Sequence, residues 1–158
     1  MKDIRTGLGY DVQRFAANRK LILGGVEIPH SKGLEGHSDA DVLLHSLCDA
    51  LLGAAGLEDI GHQFPNTDNK YKDISSIILL RTTMNLISDL GWKVVNTDSV
   101  IILESPKIYP FIPEMKSAIS KEIECSNVSI KATTSEGLGF IGSNDGCAAY
   151  SSVLLAKF

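Results

Sequence analysis

Histidine and aspartate alternate at four-residue intervals in EGHSDADVLLHSLCD, which spans residues 35–49. In an α-helix, residues four apart lie on one face, so Asp41, His45 and Asp49 are predicted to project together, with His37 at the helix entrance. A neutral imidazole is a good zinc ligand, and a neighbouring carboxylate can fix its tautomer. The spacing therefore fits a metal site, but it also fits an ordinary surface histidine between solvated acids.

An early strand supplies the other candidate ligands. In GYDVQRF, residues 9–15, Asp11 and Gln13 are two apart and share one face of a strand. A zinc site that performs chemistry needs about three protein ligands and one open position, and one helix rarely provides all three. Asp11 can bind a cation through oxygen, whereas the neutral amide of Gln13 is a weak zinc ligand. Spacing alone leaves the metal site and the surface interpretation both open.

Three further stretches bear on phosphate or substrate binding. KATTSEGLGFIGSNDG (131–146) places two threonines at a strand end before glycine-rich turns, where hydroxyls and backbone N–H groups can cradle a phosphate. The same glycines are also explained by backbone angles alone. SPKIYPFIP (105–113) holds Lys107 between prolines. LEDIGHQFPNTD (57–68) is polar and turn-rich, and fits either a binding loop or a plain connection.

Hydrophobic periodicity predicts an α+β fold, a mixed β-sheet with helices packed on one face. Predicted strands cover residues 3–12, 92–103, 127–134 and 147–156, and a hairpin over 21–29 turns at Gly24-Gly25. One helix is predicted from Ser38 or Asp39 to Ala55. A second covers 74–90 and ends before Gly91, and a third is entered through Pro110 and Pro113.

Composition narrows the class of protein. With 158 residues, 44% hydrophobic and 22% charged, we expect one compact domain over residues 1–158. A net charge of −4 argues against nucleic-acid binding. No apolar run approaches the ~20 residues of a membrane span, and the N-terminus lacks a signal-type stretch, so we expect a cytoplasmic protein without membrane contact. Cys48, Cys125 and Cys147 form no CxxC pair, so neither a disulfide framework nor a thiolate zinc site is predicted.

Taken in order, five segments give the chain a family resemblance. GYDVQRF, LGGVEIP, HSDADVLLHSLCDALLGA, ESPKIYPFIPEM and VSIKATTSEGLGFIG resemble the 2-C-methyl-D-erythritol 2,4-cyclodiphosphate synthase family. The resemblance implies a homotrimer with active sites between subunits. It implies a phosphorus–oxygen lyase of the non-mevalonate isoprenoid pathway that cyclises 4-diphosphocytidyl-2-C-methyl-D-erythritol 2-phosphate and releases CMP. It also implies zinc as cofactor, with magnesium or manganese at the diphosphate. We expect no added cytidylyltransferase domain.

The resemblance also assigns roles to residues. The implied metal ligands are Asp11, Gln13 and His45 for zinc and Glu136 for magnesium, and the implied catalytic residues are His37 and Thr134. Beside these residues, the implied substrate contacts are Ser38, Asp59, Ile60, Gly61, Phe64, Pro65, Asn66, Thr67, Asp68, Leu103, Glu104, Ser105, Pro106, Lys107, Ile108, Tyr109, Thr133, Ser135, Phe140 and Ser143. His37 and Ser38 would contact the phosphates or the erythritol of the substrate. Asp59, Ile60 and Gly61 would hold the methylerythritol end, helped by the stretch from Phe64 to Asp68, and the remainder would frame the cytidine and its phosphates.

Four positions depart from the family pattern. Gln13 stands where the family has histidine, Gly137 where it usually has lysine, Ser143 where an arginine is frequent, and Asn66 where an aspartate is usual. We therefore expect a weaker zinc site and looser nucleotide binding, unless Lys107 or Lys131 compensates. Two alternatives to the active cyclase remain: a metal- and nucleotide-binding trimer with little catalysis, and a divalent-metal phosphohydrolase.

Overall fold

A five-stranded mixed sheet organises the computed structural model, which describes residues 3–158. Its strand order is β4-β1-β7-β5-β6, and β5 and β6 run parallel while the other neighbouring pairs are antiparallel. The strands are β1 Asp3–Ala17, β2 Leu21–Leu23, β3 Val26–Ile28, β4 Lys32–Leu34, β5 Lys93–Ile102, β6 Val128–Thr133 and β7 Gly146–Lys157. The helices are α1 Val42–Ala54, α2 Ile60–Gln63, α3 Ser76–Asp89, α4 Ile112–Ile123 and α5 Gly139–Gly142.

The predicted fold class is confirmed, with corrections to element bounds. The hairpin forms as β2 and β3 around Gly24-Gly25, and the three long helices are present. Helix α1 begins at Val42 with Asp41 as its N-cap, so the predicted start at Ser38 or Asp39 is wrong. Strand β1 continues to Ala17 because it pairs with both β7 and β4. Strand β4 and the short helices α2 and α5 were not predicted.

Two glycines let α1 lie directly on the sheet. A Cβ on Gly7 would stand 1.9 Å from the Ala50 carbonyl oxygen, and one on Gly9 would stand 1.8 Å from the Ser46 carbonyl oxygen. Any larger residue at either position would push the helix away from β1. The close approach also buries the Ser46 hydroxyl against that of Ser151 on β7, with the oxygens 2.7 Å apart. Helix α1 is thereby held at a fixed height above β1 and β7.

The opposite face of the sheet carries exposed apolar side chains. Successive residues of a strand point to opposite faces, so the even-numbered residues of β1 face away from α1. Leu8 is 71% exposed, and Tyr10 on β1 packs against Tyr150 on β7 with ring centroids 4.8 Å apart. Ile4 and Val12 are exposed on the same face. We call this surface the open sheet face; the helices cover the other face, as predicted.

The cysteine thiols bear on nucleophilic chemistry, and the helix lengths bear on membrane crossing. All three cysteines are free, and burial raises the pKa of both Cys48 and Cys147 to about 12, so neither thiol suits nucleophilic chemistry. No helix within residues 3–158 combines the length and the apolar character needed to cross a membrane.

Candidate functional site

Three candidate metal ligands meet where β1 passes beneath α1. The odd-numbered residues of β1 face the helix, which brings Asp11 and Gln13 under His45. The His45 Nδ1 atom lies 3.1 Å from Asp11 Oδ2, and the Gln13 side-chain amide nitrogen lies 3.3 Å from that same oxygen. The side chains of His45 and Asp11 are 14% and 23% exposed, so the group is sheltered but reachable. The sequence-based pairing of strand and helix ligands agrees with this geometry.

The donor set fits a divalent cation with an open coordination position. Asp11 offers a carboxylate, His45 an imidazole nitrogen and Gln13 an amide oxygen, if its amide turns toward the cation. Among residues 3–158, no group of three His, Cys, Asp or Glu side chains is arranged to hold a metal. In the Asp11–Gln13–His45 cluster, the third side chain is an amide, which binds zinc more weakly than an imidazole or a carboxylate.

The negative charge of Asp11 favours positive charge at the His45 imidazole. Burial alone would lower the pKa of His45, but the hydrogen bond and the charge of Asp11 outweigh it, and the net pKa is raised. The Asp11 carboxylate thus favours positive charge at the imidazole nitrogen that faces it. A divalent cation bound by the same two atoms would compete with a proton for this position.

The aspartates of the alternating motif do not join this cluster, so the prediction that Asp41 and Asp49 project beside His45 is wrong. Asp41 caps α1 and accepts hydrogen bonds from the backbone N–H groups of Gly24, Gly25 and Leu44 at 2.8–3.0 Å. It is fully buried, and burial together with the charge of Asp39 raises its pKa to about 6. Asp49 accepts the Ile60 N–H at 3.1 Å. Both acids hold loops onto α1.

A cavity of about 420 Å³ opens beside the metal ligands. Its lining residues are Asp11, Gln13, Gly36, His37, Ser38, His45, Ile60, Gly61, Phe64, Asn66, Tyr71 and Leu79. Nine of the predicted site residues therefore come together, whereas Gly36, Tyr71 and Leu79 were missed. Tyr71 packs edge-on against Phe64 with ring centroids 5.5 Å apart, a contact across a turn-rich segment that has no regular periodicity to predict it. We call this the metal-side cavity.

The remaining predicted residues of the 59–68 stretch shape the loop rather than line the cavity. Asp59 caps α2, accepting the His62 backbone N–H at 2.9 Å and contacting the His62 imidazole at 2.7 Å. The hydrogen bonds with His62 lower the pKa of Asp59. Asp68 accepts the Lys70 N–H, and its carbonyl oxygen lies 3.1 Å from His37 Nε2. Pro65 and Thr67 lie between these anchors.

A second cavity, of about 200 Å³, lies beyond the carboxyl ends of the parallel strands β5 and β6. It is lined by Leu103, Glu104, Pro106, Lys107, Ile108, Tyr109, Ala132, Thr133 and Thr134. Eight of these residues were predicted, and Ala132 was missed. We call this the strand-end cavity. It shares no described lining residue with the metal-side cavity.

Glu104 organises the loop that follows β6. Its Oε1 atom accepts the backbone N–H of Ser135 at 2.9 Å and that of Gly137 at 3.3 Å, and it lies 3.1 Å from the Ser135 hydroxyl oxygen, which is also 2.7 Å from the Leu138 carbonyl oxygen. These donors lower the pKa of Glu104, with the Ser135 N–H contributing most. Glu136 is exposed at a φ of +56°, a conformation that L-residues rarely adopt. The loop is thus held in one shape with Glu136 at its tip.

Phe140 and Ser143 lie apart from the strand-end cavity. Phe140 lines a different cavity of about 520 Å³ together with Gln13, Arg14 and Lys32. The Ser143 hydroxyl donates to the Gly139 carbonyl oxygen at 3.2 Å. Ser105 links the regions by donating to the Asn144 side-chain oxygen at 2.9 Å. Within one chain, neither Phe140 nor Ser143 therefore lines the strand-end cavity.

Comparison with known proteins identifies the family. The YgbB family model matches residues 4–156. A 2-C-methyl-D-erythritol 2,4-cyclodiphosphate synthase of Syntrophomonas wolfei is 52% identical over 156 residues, covering 98% of this chain and 99% of the relative. The synthase of Prosthecochloris aestuarii is 54% identical over the same length, with the same shares of each chain covered.

Solved structures agree. The bifunctional IspDF of Campylobacter jejuni matches 99% of this chain with a TM-score of 0.95 at 45% identity, and the match covers 43% of that longer chain. A CDP complex of IspF from Plasmodium falciparum matches with a TM-score of 0.86 at 33% identity, covering 99% of this chain and 98% of that one. The match in sequence and fold extends over nearly the whole chain, so it includes the strand and helix that carry Asp11, Gln13 and His45. The chain belongs to the YgbB family, the family of 2-C-methyl-D-erythritol 2,4-cyclodiphosphate synthases.

Proposed function

We propose that this chain, as a single synthase domain, converts 4-diphosphocytidyl-2-C-methyl-D-erythritol 2-phosphate into 2-C-methyl-D-erythritol 2,4-cyclodiphosphate and releases CMP. The observation that carries the proposal is the cluster of Asp11, Gln13 and His45, which opens onto the metal-side cavity in a chain of this family. The reaction would make the protein a phosphorus–oxygen lyase of the non-mevalonate isoprenoid pathway.

The substrate carries its own nucleophile. An oxygen of the 2-phosphate attacks the β-phosphorus of the cytidine diphosphate group and forms the new P–O–P bridge. The bond from that phosphorus to the old bridging oxygen breaks, and CMP leaves with the oxygen and its electron pair. The protein needs no activated serine or cysteine, which agrees with the raised pKa of the buried thiols. Its task is to hold two anionic groups in line.

Holding the two anionic groups together requires that their electrostatic repulsion be offset. Two unit charges about 4 Å apart repel by roughly 4 kcal/mol at an effective dielectric constant near 20. Divalent cations would supply the positive charge that offsets this repulsion, and the Asp11–Gln13–His45 cluster and Glu136 are the residues that would hold them. Asp11 Oδ2 and His45 Nδ1 lie 3.1 Å apart beside the metal-side cavity, close enough to share one cation, and Gln13 can add its amide oxygen. We expect zinc there, and magnesium or manganese at the exposed Glu136.

His37 and Thr134 are suited to contact the phosphates. The Asp68 carbonyl oxygen can only accept, so His37 Nε2 carries the hydrogen and Nδ1 remains available for substrate. The Thr134 hydroxyl oxygen accepts the Glu136 N–H at 3.1 Å, so its own hydrogen remains free to donate. A freely donated hydroxyl hydrogen can stabilise charge that develops on a phosphoryl oxygen.

The nucleotide would enter the strand-end cavity. Among the described residues lining it, Lys107 is the single lysine or arginine. Lys131 forms an ion pair with Asp98 on the neighbouring strand, so it is a poor substitute for the cations missing at Gly137 and Ser143. We expect the base to pack against the apolar lining and Lys107 to face the phosphates.

A homotrimer with interfacial active sites would unite the two cavities. The substrate carries a metal-binding diphosphate and a cytidine, yet the cavities proposed for these two ends share no described lining residue in one chain. The open sheet face offers the apolar surface through which copies of the chain would associate. Light scattering should give three times the mass of the chain.

A matched pair of variants tests this assembly. Leu8→Asp puts a charge on the open sheet face and should yield monomers, whereas Ile78→Asp, on the outer side of α3, should leave the trimer intact. Leu8 and Ile78 are both exposed, at 71% and 45%, so burial within the subunit does not confound the comparison. A trimeric Leu8→Asp protein would contradict the assignment of this face.

A metal- and nucleotide-binding trimer with little catalysis is the second candidate, favoured by the amide at position 13. Incubation with the substrate, magnesium and either zinc or manganese separates the two, because the cyclase releases CMP and the binding protein does not. Phosphorus NMR completes the test: the cyclic diphosphate supports the cyclase, and an open phosphorylated product would indicate a phosphohydrolase instead.

A further inference from the structure

The side of the His45 imidazole that faces away from Asp11 contacts two hydroxyl groups. Nε2 lies 2.9 Å from the Ser76 hydroxyl oxygen and 3.1 Å from the Ser38 hydroxyl oxygen. Ser76 is completely buried at the first turn of α3, and Ser38 is 7% exposed. Neither serine is a proposed metal ligand, and no local sequence pattern pointed to Ser76.

The hydrogen of the Ser76 hydroxyl is already committed to Asp39. Ser76 Oγ donates to Asp39 Oδ1, and the Ser76 backbone N–H donates to Asp39 Oδ2 at 3.0 Å. An ionised carboxylate can only accept, and a serine hydroxyl has one hydrogen. The Ser76 oxygen therefore turns a lone pair toward His45, and the imidazole must provide the hydrogen between them.

Ser38 does not determine whether His45 Nε2 carries a hydrogen. Its hydroxyl oxygen accepts the Ala40 N–H at 3.2 Å, and its own hydrogen is not directed to any carboxylate. It can therefore donate to or accept from Nε2. The Ser76–Asp39 pair alone requires a hydrogen at that nitrogen.

We propose that Ser76 and Asp39 are positioning residues that keep a hydrogen on His45 Nε2 and so leave Nδ1 as the nitrogen that faces Asp11 and binds a divalent cation. The proposal rests on the proposed function for the identity of the cation site. Metal-binding histidines generally donate their second ring N–H to a fixed acceptor, and loss of that acceptor weakens metal binding about 10–100-fold. Here the acceptor is a carboxylate reached through a hydroxyl.

Ser76→Ala tests the proposal, and Ser75→Ala is its matched control. Ser75 is the neighbouring serine and is exposed, and its side chain makes no capping hydrogen bond, so the same atoms are removed without touching Asp39 or His45. Binding of Zn²⁺ alone is measured by competition with a chelating dye. We expect Ser76→Ala to bind Zn²⁺ about 10–100-fold more weakly than wild type and Ser75→Ala to match wild type.

Long-range ¹H–¹⁵N spectra of histidine-labelled protein provide a readout independent of catalysis. In wild type, the His45 Nε2 hydrogen should exchange slowly with solvent, with or without Zn²⁺, and Zn²⁺ should shift the Nδ1 resonance. Ser76→Ala should speed exchange of the Nε2 hydrogen while thermal unfolding and the signals of the other histidines stay near wild type. Slow exchange in Ser76→Ala, or Zn²⁺ bound through Nε2, would overturn the proposal.

The two proposals fail in different ways. Slow Nε2–H exchange that depends on Ser76, together with no CMP release, would support the positioning role and overturn the proposed function. CMP release with wild-type Zn²⁺ affinity in Ser76→Ala would support the function and overturn the positioning role.

Discussion

Replacing Gly9 with alanine should disturb both the fold and the site, because α1 lies against β1 at this residue. The new Cβ would stand 1.8 Å from the Ser46 carbonyl oxygen and 2.8 Å from the Ala50 backbone nitrogen. Both atoms belong to the helix backbone, so no side-chain rotation can relieve the clash. A normal contact would require the helix to withdraw by roughly 1.5 Å or more.

The withdrawal has several costs. Overpacking of a core costs about 1–3 kcal/mol, and a lost hydrogen bond costs about 1 kcal/mol. The helix carries the Ser46 hydroxyl away from Ser151, now 2.7 Å distant, and His45 away from Asp11, now 3.1 Å distant. We therefore expect Gly9→Ala to lower the free energy of unfolding by about 3–5 kcal/mol and to weaken Zn²⁺ binding.

Gly53→Ala is the control, since Gly53 lies in the same helix and a Cβ there would meet no atom of residues 3–158 within 4 Å. It should stabilise the protein by about 0.5–1 kcal/mol, because alanine is the better helix former. Urea denaturation with an unchanged slope gives both values. A Gly9→Ala protein within about 1 kcal/mol of wild type would refute the reasoning about helix height.

Three further variants test individual contacts. Gln13→His should bind Zn²⁺ at least about tenfold more tightly, as an imidazole is a better ligand than an amide; unchanged affinity in the competition assay would show that position 13 does not ligate. Glu104→Ala should raise KM for the diphosphocytidyl substrate about tenfold with little change in thermal unfolding. Glu104→Gln retains an acceptor oxygen, so its KM should be near that of wild type. Equal KM values in wild type and Glu104→Ala would exclude a loop-holding role. Asp41→Asn should destabilise by about 2–4 kcal/mol in urea denaturation, since its NH₂ group must face a backbone N–H; a neutral effect would contradict the capping network.

The sequence was most informative where local pattern and tertiary structure agree. Gly24-Gly25 predicts its hairpin because both residues adopt positive φ values, 60° and 76°, which glycine tolerates best. Strand and helix periodicities place Asp11 and Gln13 on one face of β1 and His45 on one face of α1. The grouping of these three residues as metal ligands came from the family resemblance and stays a prediction.

Other features depend on contacts between residues distant in sequence, and local patterns did not predict them. Ser38, Asp39 and Asp41 can all cap a helix, and Asp41 does so because its carboxylate also reaches Gly24 and Gly25, 17 and 16 residues away. The short strand β4 exists through pairing with the end of β1. The separation of the metal-side and strand-end cavities also depends on sheet order, which periodicity does not encode.

The charge distribution explains how an acidic chain can bind a polyanion. The described residues lining the metal-side and strand-end cavities include one lysine, Lys107, and no arginine. Lys131 is paired with Asp98, and Lys70 lies within 3.7 Å of Asp68, so nearby cations are partly neutralised. A net charge of −4 adds no general attraction. Under the proposed function, bound divalent ions would supply most of the positive charge at the reacting phosphates, and the geometry of Asp11, His45 and the residues behind them would then control substrate binding.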